Sequence, residues 1–154
     1  MVNNLLSGDE ILALAEDIEE KGMHFYREMA KKFAENLDIV TILERLADDE
    51  IEHKELFRSF RAEEKLLINV SPESVKYLKS LLQPSLFPKE GDQYLIKTPK
   101  DALGIGIEAE KAAILFYHEL YEVIDGEQDR KIISKLLKEE KMHLVELRDY
   151  WDEL

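Results

Sequence analysis

The 154-residue chain has no cysteine. That absence excludes disulfide cross-links, cysteine-ligated zinc or iron–sulfur sites, and thiol nucleophiles. Positive charge is also scarce. Lys and Arg number 21 against 34 Asp and Glu, which leaves a net charge of −13. Such a chain repels phosphate backbones and anionic headgroups, so neither nucleic acid nor a membrane surface is an expected partner. No apolar run approaches the ~20 residues of a spanning helix. The first residues, Met1 to Gly8, lack the charged-then-apolar layout of a secretory leader, which predicts a cytoplasmic protein. Proline is nearly missing too: all four lie between Pro72 and Pro99. Hydrophobic residues make up 45% of the chain, enough for a core, and the length suits one domain over residues 1–154.

What remains is dominated by helix signals. Ser7 and Glu10 have the spacing of a capping box, and an apolar stripe follows at Leu12, Ala15, Ile18, Gly22, Phe25, Met29 and Phe33. The pattern breaks at Glu35-Asn36-Leu37-Asp38. A second helix is predicted from about Asp38 to Lys65, with Ile39, Ile42, Leu43, Leu46, Phe57 and Phe60 on one face. Ser71-Pro72-Glu73 marks the start of a short helix over about 72–82, and Gln83 to Lys97 reads as loop. Thr98-Pro99-Lys100-Asp101 opens a third long helix ending near Asp125, with Gly126 as its stop, and a fourth runs from about Glu127 to Asp152. Four long helices joined short–long–short predict an all-α four-helix bundle. Its hairpins lie at about 8–65 and 98–152, with one long crossover over 66–97.

The two halves repeat. Ala15, Glu19, Phe25, Tyr26 and Glu28 recur as Gly106, Glu110, Phe116, Tyr117 and Glu119 at an offset of 91. Leu46, Asp49, Glu50, His53 and Arg58 recur as Leu136, Glu139, Glu140, His143 and Arg148 at an offset of 90. A common offset predicts a duplicated hairpin packed with pseudo-two-fold symmetry.

Six polar residues interrupt the apolar stripes. Glu19 lies between Ile18 and Gly22, and Glu110 between Ile107 and Ala113. Glu50 with His53 sits between Leu43, Leu46 and Phe57, and Glu140 with His143 between Leu136, Leu137, Leu144 and Leu147. Four inward carboxylates would repel one another and lose hydration, and no lysine or arginine shares their stripes. A pair of metal ions would neutralise them. Residues i and i+3 share a helix face, so each Glu-x-x-His presents an oxygen and a nitrogen to one point. That mixed donor set suits iron or manganese better than calcium or copper. His24, His118 and Glu108 fall off these faces and read as solvent-facing. Of the run Glu16-Asp17, Glu19-Glu20, only Glu19 points inward. Trp151 reads as a packing anchor.

With these motifs the chain resembles the ferritin-like superfamily, and within it the rubrerythrin-like proteins, over about residues 8–62 and 98–152. The resemblance implies that Glu19 and Glu110 are terminal ligands, Glu50 and Glu140 bridging carboxylates, and His53 and His143 nitrogen ligands of two iron ions, with manganese or zinc as alternatives. It implies that Asp49 and Glu139 orient the ligating histidines, and that Tyr26 and Tyr117 stand beside the centre. Two departures stand out. The cysteine-ligated rubredoxin domain of rubrerythrins has no counterpart, so electrons must come from a separate donor, such as a separate rubredoxin. Ala113 occupies the place of an additional glutamate that rubrerythrins use in peroxide chemistry.

The resemblance therefore implies a di-iron carboxylate oxidoreductase, a ferroxidase or a scavenger of O2 or hydrogen peroxide. The alternatives are iron storage or handling, and a metal-stabilised structural module. Apolar residues of the crossover (Leu66, Leu67, Ile68, Leu86, Phe87, Tyr94, Leu95, Ile96) predict a homodimer.

Overall fold

Five α-helices and one short 3-10 helix make up most of the computed structural model, which describes residues 8–63, 67–68, 70–82 and 85–154. Helix α1 is Gly8–Lys32 and α2 is Leu37–Glu63. Strand β1, Leu67–Ile68, is followed by α3 (Pro72–Leu82) and the 3-10 helix Glu90–Leu95. Then come α4 (Pro99–Val123), strand β2 (Ile124–Asp125) and α5 (Glu127–Glu153).

The boundaries follow local chemistry. The Asn36 Oδ1 accepts from the Ile39 amide at 3.2 Å and opens α2. Ser71 Oγ accepts from the Ser74 amide at 3.1 Å, with Pro72 in the first turn of α3. At α4 the box closes in both directions: Asp101 N–H donates to Thr98 Oγ1 at 3.1 Å, and Thr98 N–H donates to Asp101 Oδ2 at 3.0 Å. The predicted cap at Ser7 and the end of α2 near Lys65 lie outside the described residues.

Two expectations need correction. Helix α4 stops at Val123, because Ile124 and Asp125 pair antiparallel with Ile68 and Leu67. Gly126 then serves at the start of α5, where its φ of 135° is one that a side chain would strain. The segment read as loop over 83–97 contains the 3-10 helix, too short and too polar to show a helical stripe.

The long helices pack as two antiparallel hairpins. Their apolar stripes form two clusters, one toward each end of the bundle. One holds Phe25, Met29, Ile39, Leu43, Leu46, Leu103, Ile107 and Leu147. The other holds Ile11, Ala15, Phe57, Phe60, Phe116, Leu120, Ile133 and Leu136. The start of α1 thus shares an end with the finish of α4, and the finish of α2 with the start of α5. The crossover carries the chain from the second cluster to the first, along the length of the bundle. Full burial of Phe57 and Phe116 stabilises the fold by about 2–3 kcal/mol each.

The crossover supplies core as well as a connection. Phe87 and Ile96, expected to offer spare apolar surface, are buried in the first cluster, and the Phe87 ring packs at a tilt of 36° against Phe25, with centroids 5.0 Å apart. Leu86 is half-buried, and the side chains of Leu66, Leu67 and Ile68 lie outside the described residues. Tyr94 and Leu95 do remain exposed, at 72% and 60%. Trp151 packs against the first cluster, as expected of an anchor, and carries Lys100 and Arg148 over its ring at 4.1 and 4.6 Å. No described helix is long and apolar enough to cross a membrane.

Candidate metal centre

Between the two apolar clusters lies a layer of six polar side chains. They are Glu19 from α1, Glu50 and His53 from α2, Glu110 from α4, and Glu140 and His143 from α5. Among the described residues these are the only buried charged or titratable side chains apart from tyrosine. Each sits where its apolar stripe is interrupted. On α2, Leu46 and Ala47 belong to one cluster, Phe57 belongs to the other, and Glu50 and His53 fall between them. The sequence-predicted set is brought together without exception.

The atoms converge as two overlapping groups. Glu19, Glu50, His53 and Glu140 bring donor atoms within 4.8 Å of one another, and so do Glu50, Glu110, Glu140 and His143. Glu50 and Glu140 belong to both. His53 Nδ1 lies 2.7 Å from Glu140 Oε1 and 3.5 Å from Glu19 Oε2. His143 Nδ1 lies 3.3 Å from Glu50 Oε1 and 3.5 Å from Glu140 Oε2. The imidazoles stack with centroids 5.8 Å apart.

The outer atoms of this cluster are held by a reciprocal set of partners. His53 Nε2 is 2.6 Å from Glu139 Oε2 on α5, and His143 Nε2 is 2.9 Å from Asp49 Oδ2 on α2. Tyr26 of α1 donates to Glu110 Oε1 of α4 at 2.8 Å, and Tyr117 of α4 donates to Glu19 Oε1 of α1 at 2.5 Å. Asp49, Glu139, Tyr26 and Tyr117 thus each reach across to the other hairpin. Two glycines that the stripes gave no reason to single out also matter. A methyl group on Gly106 would stand 3.2 Å from the Tyr26 ring, and one on Gly22 would stand 3.0 Å from Glu50 Oε2. The available signal was an interior helical glycine on a buried face, where alanine would be the better helix former.

The inner atoms face only one another, as in the 2.7 Å approach of His53 Nδ1 to Glu140 Oε1, and make no hydrogen bond. Glu19 Oε2, Glu50 Oε1, both Glu140 oxygens and the Nδ1 atoms of His53 and His143 are buried without a hydrogen bond. Buried polar atoms are ordinarily paired, because stripping their water costs 1–3 kcal/mol or more each. Their protonation is strained accordingly. Burial and the charges of Glu140, Glu19 and Glu110 push the Glu50 carboxyl far above its usual range. Burial and Glu140 raise Glu110 to about 8. Burial also raises Glu19, but its contacts with Glu50, His53 and Tyr117 outweigh it and hold the carboxyl below the usual value. Burial opposes charge on the imidazoles, yet the facing carboxylates raise both to about 11. Protons here occupy a site built for a stronger positive charge. Four convergent carboxylates, three of them with unpaired inner oxygens, and two inward imidazole nitrogens fit two divalent ions of the iron or manganese type.

Elsewhere the expectations divide. His24, His118 and Glu108 are exposed, as read. Glu16 is half-buried instead of fully solvated, because Arg61 of α2 reaches it at 2.5 Å while also holding Asp9.

A helical bundle with one crossover and a buried four-carboxylate, two-histidine layer is of the ferritin-like di-iron class. The rubrerythrin family model matches residues 10–150, and the chain belongs to that family. It is similar to a Thermotoga maritima protein whose crystal structure is described as that of a ferritin-like diiron-carboxylate protein. The two share 30% identity and a TM-score of 0.73 over 96% of each chain. No match was found among curated proteins.

Proposed function

We propose that this chain is a di-iron carboxylate oxidoreductase, acting as a ferroxidase or in the reduction of O2 or hydrogen peroxide with an external electron donor. The observation that carries the reading is the convergence of six buried side chains from four helices, five of which present inner atoms without a hydrogen bond. Glu19 and His53 would hold one ion, Glu110 and His143 the other, with Glu50 and Glu140 shared between them. A bound iron pair supplies two reducing equivalents at one place, which is what O2 or peroxide reduction requires.

The chain's own part is positioning. Glu139 and Asp49 accept hydrogen bonds from the Nε2–H of His53 and His143, which leaves the Nδ1 lone pairs facing inward. Tyr117 occupies Glu19 Oε1 and leaves Oε2 turned toward His53, while Tyr26 fixes the Glu110 carboxylate through Oε1, the oxygen that also faces His143. The apolar clusters on both sides exclude bulk water. With no cysteine in the chain, re-reduction falls to a separate donor such as a rubredoxin. A homodimer is part of this proposal, supported by the exposed Tyr94 and Leu95 of the crossover.

Metal analysis after expression in unsupplemented medium, followed by anaerobic Fe(II) loading and stopped-flow mixing with O2 or peroxide, tests the reading. The native chain should retain stoichiometric iron or manganese and gain near-ultraviolet absorption on oxidation, while a Glu50→Ala, Glu140→Ala variant does neither. Equal behaviour of the two proteins refutes it. Light scattering separates the storage alternative, which requires a hollow many-subunit shell.

A further inference from the structure

The outward face of α5 stands apart in charge from a chain whose net charge is −13. Lys131, Lys135, Lys138, Met142 and Val145 recur at helical spacing and form one stripe, which Lys141 flanks. Every exposed residue from 131 to 145 is a lysine or an apolar side chain. Met142 and Val145 are 54% and 47% exposed. Among the described residues none of these four lysines is in an ion pair, unlike Lys21, Lys31 and Lys111. The duplication does not require such a face. At the offset of 90, the positions of Lys138, Lys141, Met142 and Val145 are held on α2 by Asp48, Ile51, Glu52 and Glu55. Exposed acid is thus kept on one copy and missing from the other. The stripe also borders the metal layer. Glu139 lies four residues after Lys135 and three before Met142, is part-exposed, and has its Oε2 2.6 Å from His53 Nε2.

We propose that the α5 face around Lys138 and Met142 is the docking surface for an acidic one-electron carrier protein, the external donor of the reading above, on which this inference rests. Charge selects the partner. Unpaired lysines draw in an acidic surface, while the acidic remainder of the chain repels it from other approaches. Met142 and Val145 give the encounter an apolar centre inside that charged ring. An extended polyanion or an anionic bilayer would meet the acidic flanks as well, and a compact carrier meets only this face. The way inward is short, from Glu139 to His53 and its inward Nδ1. Each encounter takes one electron from the reduced carrier, which leaves oxidised, so two encounters re-reduce a metal pair. The matching route through Asp49 and His143 opens beside Glu52 and Asp48, which repel the same carrier.

The test uses the full iron-loaded chain, titrated calorimetrically at low ionic strength with a purified acidic rubredoxin and, separately, an acidic two-iron ferredoxin. The native chain should bind at least one of them. Lys138→Glu with Lys141→Glu should keep its iron while that affinity falls about tenfold or more, and the bimolecular rate of carrier oxidation should fall with it. Lys31→Glu with Lys76→Glu makes the same change in net charge on other exposed positions and should stay within about twofold of native. Added salt should weaken native binding much more than that of the Lys138→Glu, Lys141→Glu chain. Binding of neither carrier overturns the proposal, and so does an equal loss in both double variants. A smaller assembly by light scattering in the Lys138→Glu, Lys141→Glu chain also overturns it, because a second copy then covers the face. Retention on anionic lipid vesicles or duplex DNA that this variant loses, without carrier binding, does the same. All these outcomes leave the metal centre standing. A native chain that takes up no iron overturns the metal-centre reading itself, and this inference with it.

Discussion

His53 Nε2 sits 2.6 Å from Glu139 Oε2, although the two residues are 86 positions apart and on different helices. The same relation holds in the opposite sense between His143 and Asp49 at 2.9 Å. Each hairpin therefore orients the nitrogen donor of the other. Because the carboxylates are part-exposed and the imidazoles buried, the pairing also ties the sealed layer to the surface.

Removing the charge but not the shape of an orienting residue tests that coupling. Glu139→Gln should weaken the metal position containing His53, and Asp49→Asn the one containing His143, each by about 10–100-fold. Competition titration with a chelator would resolve the two steps. Loss of both steps in either variant would show that the pairs hold the bundle together and do not tune individual donors.

Tyr117 donates its hydroxyl to Glu19 Oε1 at 2.5 Å inside a fully buried contact. Phenylalanine at this position keeps the ring packed on Phe57 but leaves a carboxylate oxygen without a donor. The metal-free Tyr117→Phe chain should be less stable by about 1–3 kcal/mol in urea denaturation. An unchanged midpoint would mean that packing alone explains the tyrosine.

The raised values of the site groups set opposite pH dependences for the two forms. In the metal-free chain, His53 and His143 at about 11 lie above the ordinary imidazole value of about 6.5. Their contribution is complete below pH ~6.5 and fades as pH rises toward the folded value. Glu110, raised to about 8, acts in the same direction: its contribution is lost above the usual carboxyl range. The metal-free chain therefore loses stability as pH rises from about 6.5 to about 11, with Glu110 adding to the loss up to about 8. Metal must displace their protons, so Mn(II) or Co(II) uptake should strengthen over that interval and release protons. Thermal melts of both forms, with calorimetry in buffers of different ionisation heat, would check this. Proton-neutral metal uptake would contradict it.

The site was legible because it breaks a pattern. Glu19, Glu50, Glu110 and Glu140 stand on stripes that otherwise bury only apolar groups, and an offset of 90–91 repeats them. The long helices were legible for the same reason, since 3.6-residue periodicity over 25 to 27 residues leaves little ambiguity. Elements set by distant partners were not. Ile124 and Asp125 leave the helical pattern because β1 pairs with them from across the crossover, which no local window around Gly126 could show. Phe87 and Ile96 looked like surface for a partner because a short irregular segment has no periodicity to say which side is inward. The role of Gly22 depends on where Glu50 lies on another helix, and stripe analysis records only its size.

Glu50 exposes the conflict between stability and function most directly. Its carboxyl is buried, repelled by Glu140, Glu19 and Glu110, and pushed far up in the absence of metal. Glutamine has nearly the same shape and cannot ionise. At pH 8 the metal-free Glu50→Gln chain should therefore be more stable than the native one, by on the order of 1 kcal/mol, because a buried charge conflict has been removed. The same change deletes an anionic donor shared by both ion positions, so the rise in melting temperature on adding Mn(II) should shrink markedly. Paired melts with and without metal read both effects. A metal-free variant less stable than the native chain would mean that Glu50 is held by favourable contacts in the empty site and is not strained there in waiting for metal.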